Sequence, residues 1–192
     1  MDNQSQLLGH QEGGRVLSIN RGQRGTTLIE LMAGLVVLGF LLMLAVPMYI
    51  QWNNNSQIRN TAESIKNGLQ LARTEAVKQN LQVDFTLNTT DYSWQVKLPG
   101  AGGTVIQTRP PAEGNKNATV LQVAGAATVS FNGLGQSTAA GTTTFRVENP
   151  AGGTCGYGEH QMRCTQVEVR GGQIRMCLPA DVVPTSGDPR KC

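Results

Sequence analysis

One carboxylate, Glu30, stands at the front edge of a charge-free apolar run of twenty residues, Leu31–Ile50. A charge at the mouth of such a run is costly to keep, which marks Glu30 as a functional candidate. The other reactive side chains lie at the far end of the chain. All four cysteines fall there, at Cys155, Cys164, Cys177 and Cys192. An even number confined to one terminal segment, behind a membrane-length run, points to two disulfides in an oxidising compartment. Of the three pairings, Cys155–Cys164 with Cys177–Cys192 is preferred because both loops are short and local. A rival zinc set of Cys155, His160, Cys164 and Cys177 matches no common ligand spacing.

Catalytic chemistry finds little to work with. The chain has two histidines, His10 and His160. No nucleophile–base pair, phosphate loop or carboxylate dyad is visible, so no enzymatic activity, catalytic residue, metal or cofactor is expected. Arg163, Arg170, Arg175, Arg190 and Lys191 gather near the C-terminus, with Glu168, Asp181 and Asp188 among them, as on a mixed-charge solvated surface. The net charge is +3, of which +1 lies in the first 25 residues, leaving +2 for the rest. That balance does not by itself demand an acidic partner.

Three segments must position these groups. Residues 1–25 are polar and weakly basic, with Arg15, Arg21 and Arg24, and read as a leader. Residues 26–50 carry the apolar run, long enough to cross a bilayer core as a helix. Three arginines before the run, against Arg59 as the first base after it, place the N-terminus on the cytoplasmic side. Pro47 removes a backbone donor and predicts a kink. Residues 51–192 form a water-soluble head. Its first part carries Ile58, Ala62, Ile65, Leu69, Ala72 and Ala76, spaced 4, 3, 4, 3 and 4 apart, which is one apolar stripe on one helix face. A single helix from about Thr27 to Gln79, on the order of 80 Å long, is expected. Gln51–Ser56 is its weakest stretch by propensity.

Strands follow the helix. Leu81, Val83, Phe85 and Leu87 alternate with polar residues, and so do Tyr92, Trp94, Val96 and Leu98. With the turn Asn88–Asp91 between them they predict a hairpin. Further short strands are expected near Thr104–Thr108, Thr119–Val123, Thr128–Phe131, Thr143–Glu148, Thr165–Arg170 and Gln173–Leu178. Short connections favour antiparallel pairing. The fold class is therefore α+β, a long N-terminal helix packed on an antiparallel sheet.

Gly25-Thr26-Thr27-Leu28-Ile29-Glu30-Leu31, followed by the apolar run, resembles the cleavage signal of type IV pilins and type II secretion pseudopilins. The resemblance implies a pilin-like fold and cutting after Gly25 by a prepilin peptidase. It also implies N-methylation of Thr26 and a fifth place for Glu30 in the mature chain. Thr26 departs from the usual Phe or Met. Pro47 falls at the family's helix kink. The helix end Leu69–Asn80 (LQLARTEAVKQN) is similar to that of the GspH/FimT group. The tail from Gly171 to Cys177, closed by Asp188-Pro189-Arg190-Lys191-Cys192, is similar to that of FimU-like minor pilins. This implies a minor pilin of a type IV pilus that takes part in assembly initiation or a tip complex. It would start in the inner membrane with its head in the periplasm, and join other minor pilins and the major pilin through its N-terminal helix.

Two alternatives come with the resemblance. One is a minor pseudopilin of type II secretion, which uses the same helix and fold. The other is a DNA-binding minor pilin for natural transformation. Some FimT-type pilins bind DNA through Gly-Arg-x-Arg, and the matching residues here are Gly172-Gln173-Ile174-Arg175, with Gln in place of the first Arg. Candidate DNA contacts are Arg170, Gln173, Arg175, Arg190 and Lys191. Gln releases no counterion from a phosphate backbone, so the electrostatic contribution is reduced.

Overall fold

A computed structural model describes residues 26–100, 102–110, 117–149, 155–156, 162–183 and 187–192. The chain divides into two compact units, Met1–Leu41 and Leu42–Cys192. Helix α1 spans Leu28–Gln79 and is uninterrupted at Pro47. Gln51–Ser56 is helical as well.

In the second unit the six stripe residues from Ile58 to Ala76 are all 0–1% exposed, so the 4-3 spacing identified the packing face residue by residue. The helix ends on Asn80, whose φ of 50° is left-handed. The N–H of Leu81 donates to the Ala76 carbonyl at 3.2 Å, and that of Asn80 to Val77 at 3.3 Å. These two bonds are the Schellman pattern, with Asn in the place glycine usually takes. They hold Leu81 in the helix cap, where it is 54% exposed. The first strand therefore begins two residues later than the alternation of Leu81 with Val83 suggests.

Among the described residues eight strands follow: β1 Val83–Leu87, β2 Trp94–Lys97, β3 Val105–Arg109, β4 Thr119–Ala124, β5 Thr128–Phe131, β6 Thr142–Glu148, β7 Thr165–Arg170 and β8 Gln173–Cys177. They form two four-stranded sheets rather than one, in the orders β3-β2-β1-β5 and β4-β6-β7-β8. Every pairing within them is antiparallel. β4 and β5 are consecutive in the chain yet belong to different sheets.

Both sheets and the helix share one core. Phe85 of β1 and Phe145 of β6 meet edge to face, 6.3 Å between ring centres, which joins the apolar faces of the two sheets. Such aromatic pairs add modestly to their area burial. Gly68 of α1 lies where a methyl would sit 2.7 Å from Phe85 and 3.2 Å from Trp94. The helix can approach the first sheet this closely only because the residue has no side chain.

Candidate assembly element and head surface

Thr27 starts α1 as its N-cap. Its carbonyl accepts the N–H of Leu31 at 3.1 Å, and its Oγ1 accepts the N–H of Glu30 at 3.3 Å. Thr27-x-x-Glu30 is the spacing of a capping box. Thr27 was not singled out from the sequence, although that spacing was the signal available. Glu30 occupies the first turn, where the helix dipole favours a negative charge, and its side chain is exposed. The proposed cleavage residue Gly25 lies outside the described residues, as does the leader with His10; Thr26 is the first residue described.

The apolar run presents its surface on every side. Leu28, Val36, Met43 and Met48 are all 73–77% exposed. A helix apolar all round is not stable in water on its own, and this one is long and apolar enough to cross a membrane. Bilayer or other apolar helices must cover it.

At the C-terminal end the structure contains two disulfides, Cys155–Cys164 and Cys177–Cys192. Cys192 closes the tail back onto β8. Leu178 donates its N–H to Arg190, and Cys192 donates to the Leu178 carbonyl at 3.0 Å. The rival zinc set fails on its chemistry, because Cys155, Cys164 and Cys177 are all oxidised and offer no thiolate. His160 lies outside the described residues. The carboxylates Glu148 and Glu168 lie beside the two cystines and therefore do not complete a thiolate metal site.

The five candidate DNA-contacting residues are divided by the fold. Arg170 and Gln173 face each other across the Gly171–Gly172 turn, both exposed. Both turn glycines have positive φ, 57° and 97°, as a two-residue hairpin turn of this hand requires. That turn sets Glu168 opposite Arg175, and the two form an ion pair at 2.7 Å. The Arg190 guanidinium is held by Asp188 at 2.7 and 3.0 Å, and the Arg190 backbone N–H donates to the same carboxylate at 2.9 Å. Lys191 is half-buried, and its backbone bridges to Leu178. Two of the four candidate cations thus face a carboxylate, which lowers what the group offers a phosphate backbone. A third ion pair, Arg146 with Asp181, ties β6 to the segment after β8. The hydrogen bond from the guanidinium holds the Asp181 carboxyl below its ordinary pKa, against the opposing effect of burial.

Two grooves lie along α1. One, of about 480 Å³, runs between the helix and β2–β3, and includes Ser64, Asn67, Trp94 and Arg109. The other, of about 980 Å³, lies between the foot of the helix and the disulfide-closed tail.

The sequence model of the family described as Type II transport protein GspH matches residues 61–179, and the prokaryotic N-terminal methylation motif matches residues 20–46. The chain belongs to the GspH family. That makes it a pilin or pseudopilin carrying an N-terminal methylation motif. Among solved structures, this GspH-family chain is similar to the type IV minor pilin FimU of Pseudomonas aeruginosa strain PAO1. The TM-score is 0.51 at 17% identity, covering 70% of this chain and 98% of FimU. It is also similar to the minor pseudopilin EpsH of the type 2 secretion system of Vibrio cholerae. There the TM-score is 0.50 at 13% identity, covering 64% and 98%. At these identities the likeness is one of fold. No curated protein matches the chain in sequence. The family is one of structural, filament-type subunits, and its single apolar N-terminal helix ahead of a folded head is the arrangement of a membrane-anchored subunit.

Proposed function

We propose that this GspH-family protein is a minor pilin of a type IV pilus. It enters the inner membrane as a precursor with its head in the periplasm. A prepilin peptidase cuts after Gly25 and methylates Thr26. The mature chain then joins other minor pilins and the major pilin through α1, in the complex that initiates the pilus or caps its tip.

The observation that carries this reading is the position of Glu30. It stands fifth after Gly25, in the capped first turn of an apolar helix exposed on all sides. In a filament interior the carboxylate cannot remain unpaired cheaply, and neither can the new ammonium of Thr26 on a neighbouring subunit. Pairing them satisfies both and sets the axial register between subunits. Removing one leaves the other buried and unpaired, at about 3–5 kcal/mol. The tail closed by Cys177–Cys192, with its likeness to FimU-like tails, favours the pilus.

The same fold and helix suit a type II secretion pseudopilin, and the family's own description favours that second reading. Deleting the gene and scoring surface pili, twitching, secretion and transformation separately distinguishes them. Loss of pili and twitching with secretion intact supports the pilus. Loss of secretion alone assigns the chain to the secretion system, and loss of transformation alone assigns it to DNA uptake.

A further inference from the structure

The groove at the foot of the head has a composition that the assembly role does not use. Among the described residues its lining includes three guanidiniums, Arg59, Arg163 and Arg190, and no carboxylate. Arg59 and Arg190 are paired with Glu63 and Asp188. Arg163 is exposed and has no ion pair among the described residues. The floor is apolar, with Met176 and Val182, and Trp52 stands at its lower edge, 66% exposed.

Its height on the helix follows from the sequence. Tyr49 and Trp52 lie with ring centres 6.2 Å apart, tilted by 37°, at the end of the apolar run, the place where aromatic side chains mark a membrane–water boundary. Asn55 is three residues further on, and its Oδ1 accepts the backbone N–H of Arg163 at 3.0 Å. At the helical rise that sets Arg163 roughly 4–5 Å above Trp52, and Arg59 roughly 10 Å above it. The headgroup layer on each side of a bilayer is roughly 5–8 Å thick.

We propose that, while the chain waits in the membrane, this groove holds the phosphate of an anionic phospholipid on Arg163, with Arg59, above the headgroup layer, adding to the attraction. The lipid's glycerol backbone and upper chain would lie against Trp52, Met176 and Val182. The proposal rests on the membrane-anchored reading above. A lipid held there fixes how deep the head sits, and is left behind when α1 leaves the bilayer for the filament.

The test uses the full chain, reconstituted in bilayers of mixed phosphatidylcholine and phosphatidylglycerol, gently extracted, with the retained lipids counted by native mass spectrometry. The wild type retains phosphatidylglycerol in preference to phosphatidylcholine. Arg163→Gln lowers that preference about five-fold, the effect expected of one guanidinium at a lipid surface. The Asn55 contact is to the Arg163 backbone and survives the change, so the variant folds. Arg59→Gln, altering a side chain that is 72% exposed, lowers the preference too. Lys78→Gln, at the far end of α1, leaves it unchanged. Equal retention of the two lipids, or an Arg163→Gln chain like the wild type, overturns the proposal while leaving membrane anchoring intact. A chain released from membranes by alkaline carbonate overturns both.

Discussion

The indole Nε1–H of Trp94 on β2 donates to Ser64 Oγ on α1 at 3.0 Å. This bond fixes the rotation of the helix over the first sheet. Gly68, one turn further along, lies directly against the same indole and against Phe85. Helix, glycine and two aromatic rings form a joint that a single methyl disturbs.

Gly68→Ala therefore lowers stability, although alanine is the better helix former by up to about 1 kcal/mol. Phe85 is fully buried and Trp94 nearly so, and the closer ring, Phe85, is packed against both Trp94 and Phe145. Overpacking of this kind costs about 1–3 kcal/mol. Thermal melting of the detergent-solubilised chain checks this, and a raised midpoint would show the joint to be looser than described.

Removing the tail clasp with Cys177→Ser and Cys192→Ser lowers stability by about 3 kcal/mol, as expected for a loop of this size. The cysteines are 15 residues apart, and the disulfide anchors the backbone pairing of Leu178 with the tail. Comparing denaturant midpoints with and without the pair measures the effect. Protease cleavage after Arg190 should quicken in parallel.

Asp181→Asn tests the tie between β6 and the tail. The folded pKa of Asp181 lies below its ordinary value, so its contribution is present above the unfolded pKa, near about 3.9, and disappears as pH falls through the folded value. Asp181 is largely exposed, and such pairs contribute about 0.5–1 kcal/mol. Wild type and variant should differ by that much at pH 7 and converge only as pH falls from the unfolded pKa down through the lower folded one. A difference that persists at low pH would show that the substitution acts through packing.

How much of this was legible in the sequence varies from element to element. The 4-3 stripe from Ile58 to Ala76 and the alternation of Phe85, Trp94 and Val96 identified core faces correctly, because burial on one face imposes a period on the sequence. The division into two sheets was not legible. Alternation tells which side of a strand is buried and says nothing about its neighbour. β5 leaves β4 to pair with β1, with Phe85 opposite Val129 and Val83 opposite Phe131. That choice depends on how buried side chains far apart in the chain fit together. The ion pair of Arg175 with Glu168 lay between these extremes. A two-residue Gly-Gly turn sets 170 against 173, and 168 against 175 follows from that register.

The same pair bears on DNA. With Arg175 engaged by Glu168 and Arg190 by Asp188, the hairpin should shift duplex DNA in a gel only weakly at low salt and not near physiological salt. A shift with a steep salt slope, lost on Arg175→Gln, would make DNA uptake the better account.

The most direct test of the central claim is the amount of this chain in sheared surface filaments when a deletion strain carries the wild-type gene or Glu30→Ala. Glu30 is exposed in a helix turn capped by Thr27, so its loss leaves the head folded. The wild-type chain should appear in the filaments with Thr26 as its methylated first residue. The Glu30→Ala chain should reach the membrane at normal level, be depleted from filaments at least about a hundred-fold, as loss of a buried pair costing about 3–5 kcal/mol requires, and fail to restore pili. Normal incorporation of Glu30→Ala, or a wild-type chain still carrying residues 1–25, would contradict the account.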